Sequence, residues 1–429
     1  MFDRGESHSV LTYNFPPEFL WGASTSSHQV EGNNRWNDWW EYEQLGRVPF
    51  TSGAACRHYQ LFEQDFDLAR SMGHNAHRLS LEWSRIEPEQ GRWNMDAIDH
   101  YRCVIQALRD RGLEPVVTLH HFTNPAWFTR SGGWLRRDSS KLFARYAEHV
   151  AHHLGSQVRY WLTLNEPTVY VMQGYVAGEW PPCLHSAWAK AARVFRNLAR
   201  AHIAAFNILH ERLQRVQVGF AHSTPVIVPC NSNRLRDRFA AAVRDLILNR
   251  AFFFLIGARG RPTPATAAHL DFIGVNYYTR HIVRAEGWGL GAIVGRACAA
   301  DHHPDIGPLS TMGWESYPAG LGAALERLSH YGVPLLITEN GVATDDEALR
   351  REFLRSHLRQ LGAAIEQGVN VVGYLYWSLI DNFEWALGTT PHFGLAAVNY
   401  ETQERIPRPC LEDFRRVCVE NRVAREAST

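Results

Sequence analysis

The sequence predicts an α/β fold, a single (β/α)8 TIM barrel with decorated βα loops. Three observations carry this expectation. Short apolar runs rich in β-branched residues alternate strictly with longer runs of helical periodicity; the alternation yields eight of each; and no linker interrupts it, so residues 1–429 read as one domain. Strict alternation implies right-handed βαβ crossovers, which place a parallel sheet inside and helices outside. Length alone does not decide, because 429 residues also fit two or three ordinary domains.

Phe19–Ala23 is the first expected strand, and beyond a polar, Trp-rich loop His58–Met72 sets Tyr59, Phe62, Phe66 and Ala69 at helical spacing. Ala76–Leu81 (strand), Met95–Arg111 (helix), Pro115–Leu119 (strand) and Ser139–Leu154 (helix, serine at its start) repeat the unit. Val158–Asn165 is the fourth strand. Helix Ala187–Leu213, strand Val216–Phe220, helix Leu235–Leu255 and strand Asp271–Val275 continue the series. Helix Tyr317–Tyr331, strand Leu335–Thr338, helix Ala348–Gln367, strand Val371–Trp377 and helix Pro409–Val419 complete it. A doubly wound open sheet is the alternative. It expects a glycine-rich phosphate turn after the first strand, and Gly22-Ala23-Ser24-Thr25 is not one.

Lysine plus arginine equals aspartate plus glutamate at 44 each, so no net field draws nucleic acid or an anionic membrane, and the expected partner is a neutral small molecule. The longest uncharged apolar run, Val371 to Ile380, is far short of the roughly 18 residues of a membrane span. No leading segment pairs a basic start with an apolar core. The seven cysteines are odd in number, scattered and without a C-x-x-C pair, which speaks against a disulfide framework or a zinc site and for a reducing cytoplasm. No metal or cofactor is expected, and oligomeric state is not legible.

Two strands end alike. Leu335-Leu336-Ile337-Thr338-Glu339 and Tyr160-Trp161-Leu162-Thr163-Leu164-Asn165-Glu166 each run apolar into a carboxylate, which a parallel barrel delivers to its C-terminal mouth. The fourth and seventh strands thus each present one acid. Two carboxyls facing one substrate can divide the work of proton donor and negative charge.

Five segments in this order resemble glycoside hydrolase family 1, the β-glucosidase family. They are Phe19 to Gly32, Thr163-Leu164-Asn165-Glu166-Pro167, Asn276-Tyr277-Tyr278, Ile337-Thr338-Glu339-Asn340-Gly341, and Trp377 to Trp385; the likeness spans about Phe15 to Phe414. The resemblance implies a retaining β-glycosidase, foremost a β-glucosidase also acting on β-galactosides and β-fucosides, with Glu166 as acid/base and Glu339 as nucleophile. Retention predicts carboxyls about 5 to 5.5 Å apart. By the same resemblance Arg78, Asn165 and Tyr278 support the nucleophile, while Gln29, His121, Asn165, Trp377, Glu384 and Trp385 hold the terminal sugar. Plainer readings stand beside these: Arg78 in a structural ion pair with Glu82, His121 as a satisfied core histidine, and the tryptophans as packing.

The chain departs from the family at Phe122, where many relatives carry Trp, and in a shorter stretch from Asn231 to Asp271 with a compact turn at Gly260-Arg261-Pro262-Thr263-Pro264. The loop Ala285 to Ser310, rich in glycine, is expected to shape the leaving-group side. Glu384-Trp385 speaks against a 6-phospho-β-glycosidase, since a carboxylate there repels phosphate. A catalytically silent glycoside-binding barrel is the remaining alternative, and both glutamates argue against it.

Overall fold

The computed structural model describes residues 11–258, 269–298, 302–303 and 305–425. Eight parallel strands close into a barrel: β1 (Leu20–Ser24), β2 (Ala76–Ser80), β3 (Glu114–His120), β4 (Tyr160–Asn165), β5 (Gln217–Ser223), β6 (Ile273–Asn276), β7 (Leu335–Glu339) and β8 (Val371–Trp377). Each pairs with its sequence neighbour, and β8 closes on β1 with Tyr374 opposite Trp21. The open-sheet alternative is thereby excluded.

Between the strands lie α1 (His58–Ser71), α2 (Met95–Asp110), α3 (Ser139–Leu154), α4 (Trp188–Arg212), α5 (Leu235–Asp245), α6 (Pro318–Ser329), α7 (Glu347–Glu366) and, after β8, α8 (Cys410–Glu420). Their inward stripes bury Ile98, Ile105 and Leu108 of α2 or Phe143, Tyr146 and Val150 of α3 against the barrel's outer wall. Helix boundaries follow local chemistry: Asn94 caps α2 and Asp346 caps α7 through side-chain bonds to backbone amides. Ser139 does begin α3, but its hydroxyl donates to the Arg136 carbonyl and caps nothing.

The expected helix Leu235–Leu255 is continuous only by changing pitch, through a π turn at Leu246–Arg250 before a last turn at Ala251–Leu255. Sequence periodicity also missed short strands with too few residues to show alternation. Thr12–Asn14 pairs with Arg422–Ala424, tying the first and last described segments together. Val226–Pro229, Arg280–Arg284 and Arg296–Ala297 form a small sheet at the mouth, so the loop Ala285 to Ser310 is partly structured. The turn at Gly260 to Pro264 lies outside the described residues.

Inside the barrel the side chains divide by height. Toward the N-terminal end Ala76, Val116, Leu162, Ala221, Phe272, Leu336 and Leu375 make one buried apolar cluster. Toward the C-terminal end Arg78, Thr118, Asn165, Asn276, Thr338 and Glu339 are buried and bonded to one another. An apolar floor therefore carries a polar ceiling, the arrangement a barrel uses to put chemistry at its C-terminal face. Among the described residues no helix is long and apolar enough to cross a membrane.

Candidate active site

Glu339 ends β7, where its main-chain carbonyl accepts from the Tyr277 amide at 2.9 Å. Two residues later the backbone touches β8: a Cβ on Gly341 would lie 1.8 Å from the Trp377 carbonyl oxygen, so only glycine fits. Glu339 is 4% exposed, and its carboxyl is engaged on both oxygens. Oε1 accepts from Arg78 Nη1 at 2.5 Å, and Oε2 accepts from the Tyr278 hydroxyl at 2.6 Å. Tyr277 turns the other way, donating to the Tyr317 carbonyl.

Arg78 is fully buried. Its other nitrogens donate to Thr118 Oγ1 at 3.1 Å and Asn165 Oδ1 at 2.7 Å, which holds the guanidinium plane across three strands. The plainer pairing with Glu82 does not form; that carboxylate accepts from the hydroxyls of Ser27, Ser84 and Thr123.

Glu166 sits at a sharp bend. Its φ of 42° is left-handed, unusual for a side-chain-bearing residue, and Pro167 starts a short helix immediately after it. Its amide donates to the Ala221 carbonyl at 2.9 Å, which pins the bend to β5 and aims the carboxyl back over the barrel. Asn276 Nδ2 donates to Glu166 Oε1 at 3.0 Å and to Asn165 Oδ1 at 3.1 Å. A continuous path of hydrogen bonds thus joins the acids: Glu166, Asn276, Asn165, Arg78, Glu339. Burial first, and then the nearby Glu339 charge, push the Glu166 carboxyl up to about 8, against the opposing Asn276 bond and Arg78. It keeps its proton at neutral pH.

The polar ring continues outward. Because Asn165 Oδ1 accepts twice, its amide nitrogen faces His121, 3.2 Å from Nε2. Nε2 is then the acceptor and Nδ1 carries the proton. That Nδ1 is buried with no partner among the described residues, and burial holds the imidazole well below its usual range, hence neutral. Of its two ring nitrogens only Nε2 is bonded among the described residues, so the plainer reading of a fully bonded core histidine does not describe it. Its ring lies parallel to Trp377 at 6.0 Å and to Trp385 at 6.1 Å.

Gln29 Nε2 donates to Glu384 Oε2 at 3.2 Å and to Asn382 Oδ1 at 3.0 Å, while Ser26 donates to its Oε1 at 2.6 Å. Burial and the Glu339 charge raise Glu384 to about 8, so near neutrality it is an acid that both donates and accepts. The phosphate-repulsion argument weakens accordingly, since a neutral carboxyl repels little. Trp385, at a φ of 51°, is enclosed by Trp39, Trp180, Phe122 and His28, so packing accounts for much of its burial. Phe122 is 4% exposed and at a φ of 70°. Gln29, Arg78, His121, Asn165, Glu166, Tyr278, Glu339, Trp377, Glu384 and Trp385 are thus brought together at this mouth. Sequence reasoning passed over Asn276, Thr338 and Asn382 as site members; Asn276 had the same signal as the two acids, a polar residue closing an apolar strand.

Comparison with known proteins agrees with this geometry. The model for glycosyl hydrolase family 1 matches residues 11–267 and 262–422. A β-glycosidase from Pyrococcus horikoshii superposes with a TM-score of 0.89 at 43% identity, covering 97% of each chain. A β-galactosidase from Pyrococcus woesei is 30% identical over 96% of this chain and 98% of its own, and a bifunctional β-D-glucosidase/β-D-fucosidase from Bifidobacterium breve 31% identical over 95% and 98%. The match runs nearly end to end in sequence and in space, and the chain belongs to glycosyl hydrolase family 1.

Proposed function

We propose that the protein is a retaining β-glycosidase removing terminal, non-reducing β-D-glucosyl residues, and β-galactosyl and β-fucosyl residues as well, with Glu339 as nucleophile and Glu166 as acid/base. The single observation that carries the reading is the inequality of the two acids. Glu339 is braced by a guanidinium and a phenol, whereas Glu166 holds a proton to about 8. Double displacement requires one carboxyl braced to act as nucleophile and another able to give a proton.

In the first step Glu339 attacks the anomeric carbon while Glu166 gives its proton to the glycosidic oxygen. The C–O bond to the aglycone breaks, an alcohol leaves, and a covalent α-glycosyl ester remains. Loss of the Glu339 charge removes the second largest cause of Glu166's raised pKa, so the ionised Glu166 can then take a proton from water. That water attacks the same carbon from the face the aglycone left, Glu339 departs as carboxylate, and the configuration is retained. His121, Gln29 and Glu384 offer one donor, one amide and one acid for sugar hydroxyls, and Trp377 supplies an apolar face. Phe122 offers no ring N–H, which favours tolerance at one hydroxyl and so the broader substrate range.

The barrel acts as one unit without metal or cofactor in the chemistry, on small glycosides or oligosaccharides. None of the seven cysteines is in a disulfide, which supports a cytoplasmic role in carbohydrate metabolism. A panel of nitrophenyl β-glucoside, β-galactoside, β-fucoside and 6-phospho-β-glucoside tests the reading. Turnover of the first three is the expected result. Turnover of the phosphoglucoside alone overturns the substrate class, and sugar binding with no turnover makes the protein a silent barrel.

A further inference from the structure

Three sulfur and nitrogen ligands converge where the sequence offered no metal motif. The thiols of Cys230 and Cys298 and a ring nitrogen of His303 lie within 4.8 Å of one another, each partly buried. Nε2 of His303 is itself buried and has no hydrogen-bond partner among the described residues. The small sheet explains the meeting. Cys230 follows the strand Val226–Pro229 on one side of Arg280–Arg284, and Cys298 follows Arg296–Ala297 on the other. Their amides donate to the carbonyls of Val283 (2.7 Å) and Ile282 (2.8 Å), adjacent residues of the central strand.

This placement discriminates between a disulfide and a metal. Strands pair about 4.8 Å apart, so two cysteines flanking one strand have Cα atoms about 9 to 10 Å apart, beyond the roughly 7 Å a disulfide spans. A metal reaches farther. Zn–S bonds of about 2.3 Å and Zn–N bonds of about 2.0 Å set tetrahedral ligand atoms roughly 3.5 to 3.8 Å apart, which the cluster meets by closing about 1 Å. Nδ1 of His302 lies 3.3 Å from Cys298 Sγ, within reach of a fourth position. Two thiolates with imidazole select zinc over the hard, oxygen-seeking cations.

We propose that Cys230, Cys298 and His303, with His302 completing the set, bind a structural zinc ion that staples the β6–α6 loop to the segment after β5. Binding releases the two thiol protons to solvent as the sulfurs become thiolates. The staple stands beside the chemistry without entering it. The same β6–α6 loop carries Tyr278, which donates to Glu339, near its start and Trp314 and Glu315 near its end. Its two limbs are joined by the Arg280–Glu315 bridge at 2.5 Å and the Tyr278–Trp314 contact at 5.4 Å. The zinc thus fixes the outer part of a loop whose inner part touches the nucleophile candidate. The inference stands independently of the proposed glycosidase activity.

The sequence reading missed this cluster because its ligands come from three separated segments without the paired spacing of a zinc ribbon or finger. The test uses the full chain, expressed without a polyhistidine tag in zinc-supplemented medium and dialysed against buffer free of metal and chelator. Mass-spectrometric metal analysis should find about one zinc per chain in the wild type and less than about one tenth in Cys230→Ser/Cys298→Ser, which should keep its circular dichroism. Cobalt(II) added to chelator-stripped wild type should give a thiolate-to-cobalt charge-transfer band that His303→Ala weakens. Wild type with neither zinc nor the cobalt band overturns the proposal. So does full zinc content in the double serine variant, or a Cys230–Cys298 disulfide in peptides mapped without reductant.

Discussion

Arg78 and Glu339, on strands far apart in sequence, meet at 2.5 Å inside the barrel, and the same guanidinium reaches Asn165 at 2.7 Å. A buried ion pair of this kind is held by geometry, and removal of one partner leaves the other charge uncompensated at a cost of about 3 to 5 kcal/mol. Arg78→Met should therefore lower unfolding stability by that order and cut kcat/KM for a nitrophenyl glucoside by at least about a hundredfold. Arg78→Lys keeps the charge but cannot bridge Glu339 and Asn165 together, so it should recover stability more than activity. Denaturant titration and steady-state kinetics on both variants check this.

The Glu166 carboxyl, raised to about 8 by burial and by Glu339, must be protonated to assist the leaving group. The acid form exists below its pKa and is lost above it, so kcat/KM should fall on the alkaline side with a midpoint near 8. Glu166→Ala should abolish that limb for a dinitrophenyl glucoside, whose leaving group needs no proton, while kcat and KM fall together because deglycosylation lacks its base. A limb that persists in the variant assigns the titration to another group.

Tyr278 gives Glu339 one hydrogen bond at 2.6 Å to a charged acceptor. Bonds of that type contribute about 1.5 to 3 kcal/mol. Tyr278→Phe should lose roughly ten- to a hundredfold in kcat/KM and, because it leaves a buried charged oxygen without its donor, about 1.5 to 3 kcal/mol of unfolding stability. Stopped-flow kinetics should show slower glycosylation at unaltered substrate affinity.

Glu384 carries a stability cost that depends on pH. Its folded-state pKa of about 8 exceeds the ordinary carboxyl value of 4.5, so the folded state binds the extra proton between those limits. Folding is favoured fully below about 4.5 and loses that contribution as pH rises to about 8. Glu384→Gln has no such proton to lose. It should match the wild type in stability near pH 4 and exceed it by on the order of 2 kcal/mol or more near pH 8.5, at a cost in sugar affinity. Melting curves across that range, with KM measured at neutral pH, test both halves.

The barrel was legible because its signals repeat: Leu335 to Thr338 and Tyr160 to Leu164 are too apolar for anything but buried strands, and the helices between them carry clean stripes. Glu166 and Glu339 stood out because each closes an apolar strand within a segment that resembles the family's; a strand-end glutamate alone is more often a cap or a surface ion-pair member. What escaped depends on contacts between distant segments. Three strands of two to five residues around Ile282 show no periodicity, yet they bring Cys230, Cys298 and His303 together. The donor state of His121 was equally hidden, since it follows from both lone pairs of Asn165 Oδ1 being taken. The proton on Glu384 was hidden too: sequence shows a carboxylate, and only its surroundings make it neutral.

Glu339 forms the bond to sugar in the proposed reaction, and mechanism-based trapping measures this directly. Wild-type protein incubated with 2-deoxy-2-fluoro-β-D-glucosyl fluoride should lose activity in step with a mass increase of one fluoroglucosyl group, mapped by peptide sequencing to Glu339. Label on any other side chain, or continued turnover of the natural glycoside to the inverted sugar with no label at all, would contradict it.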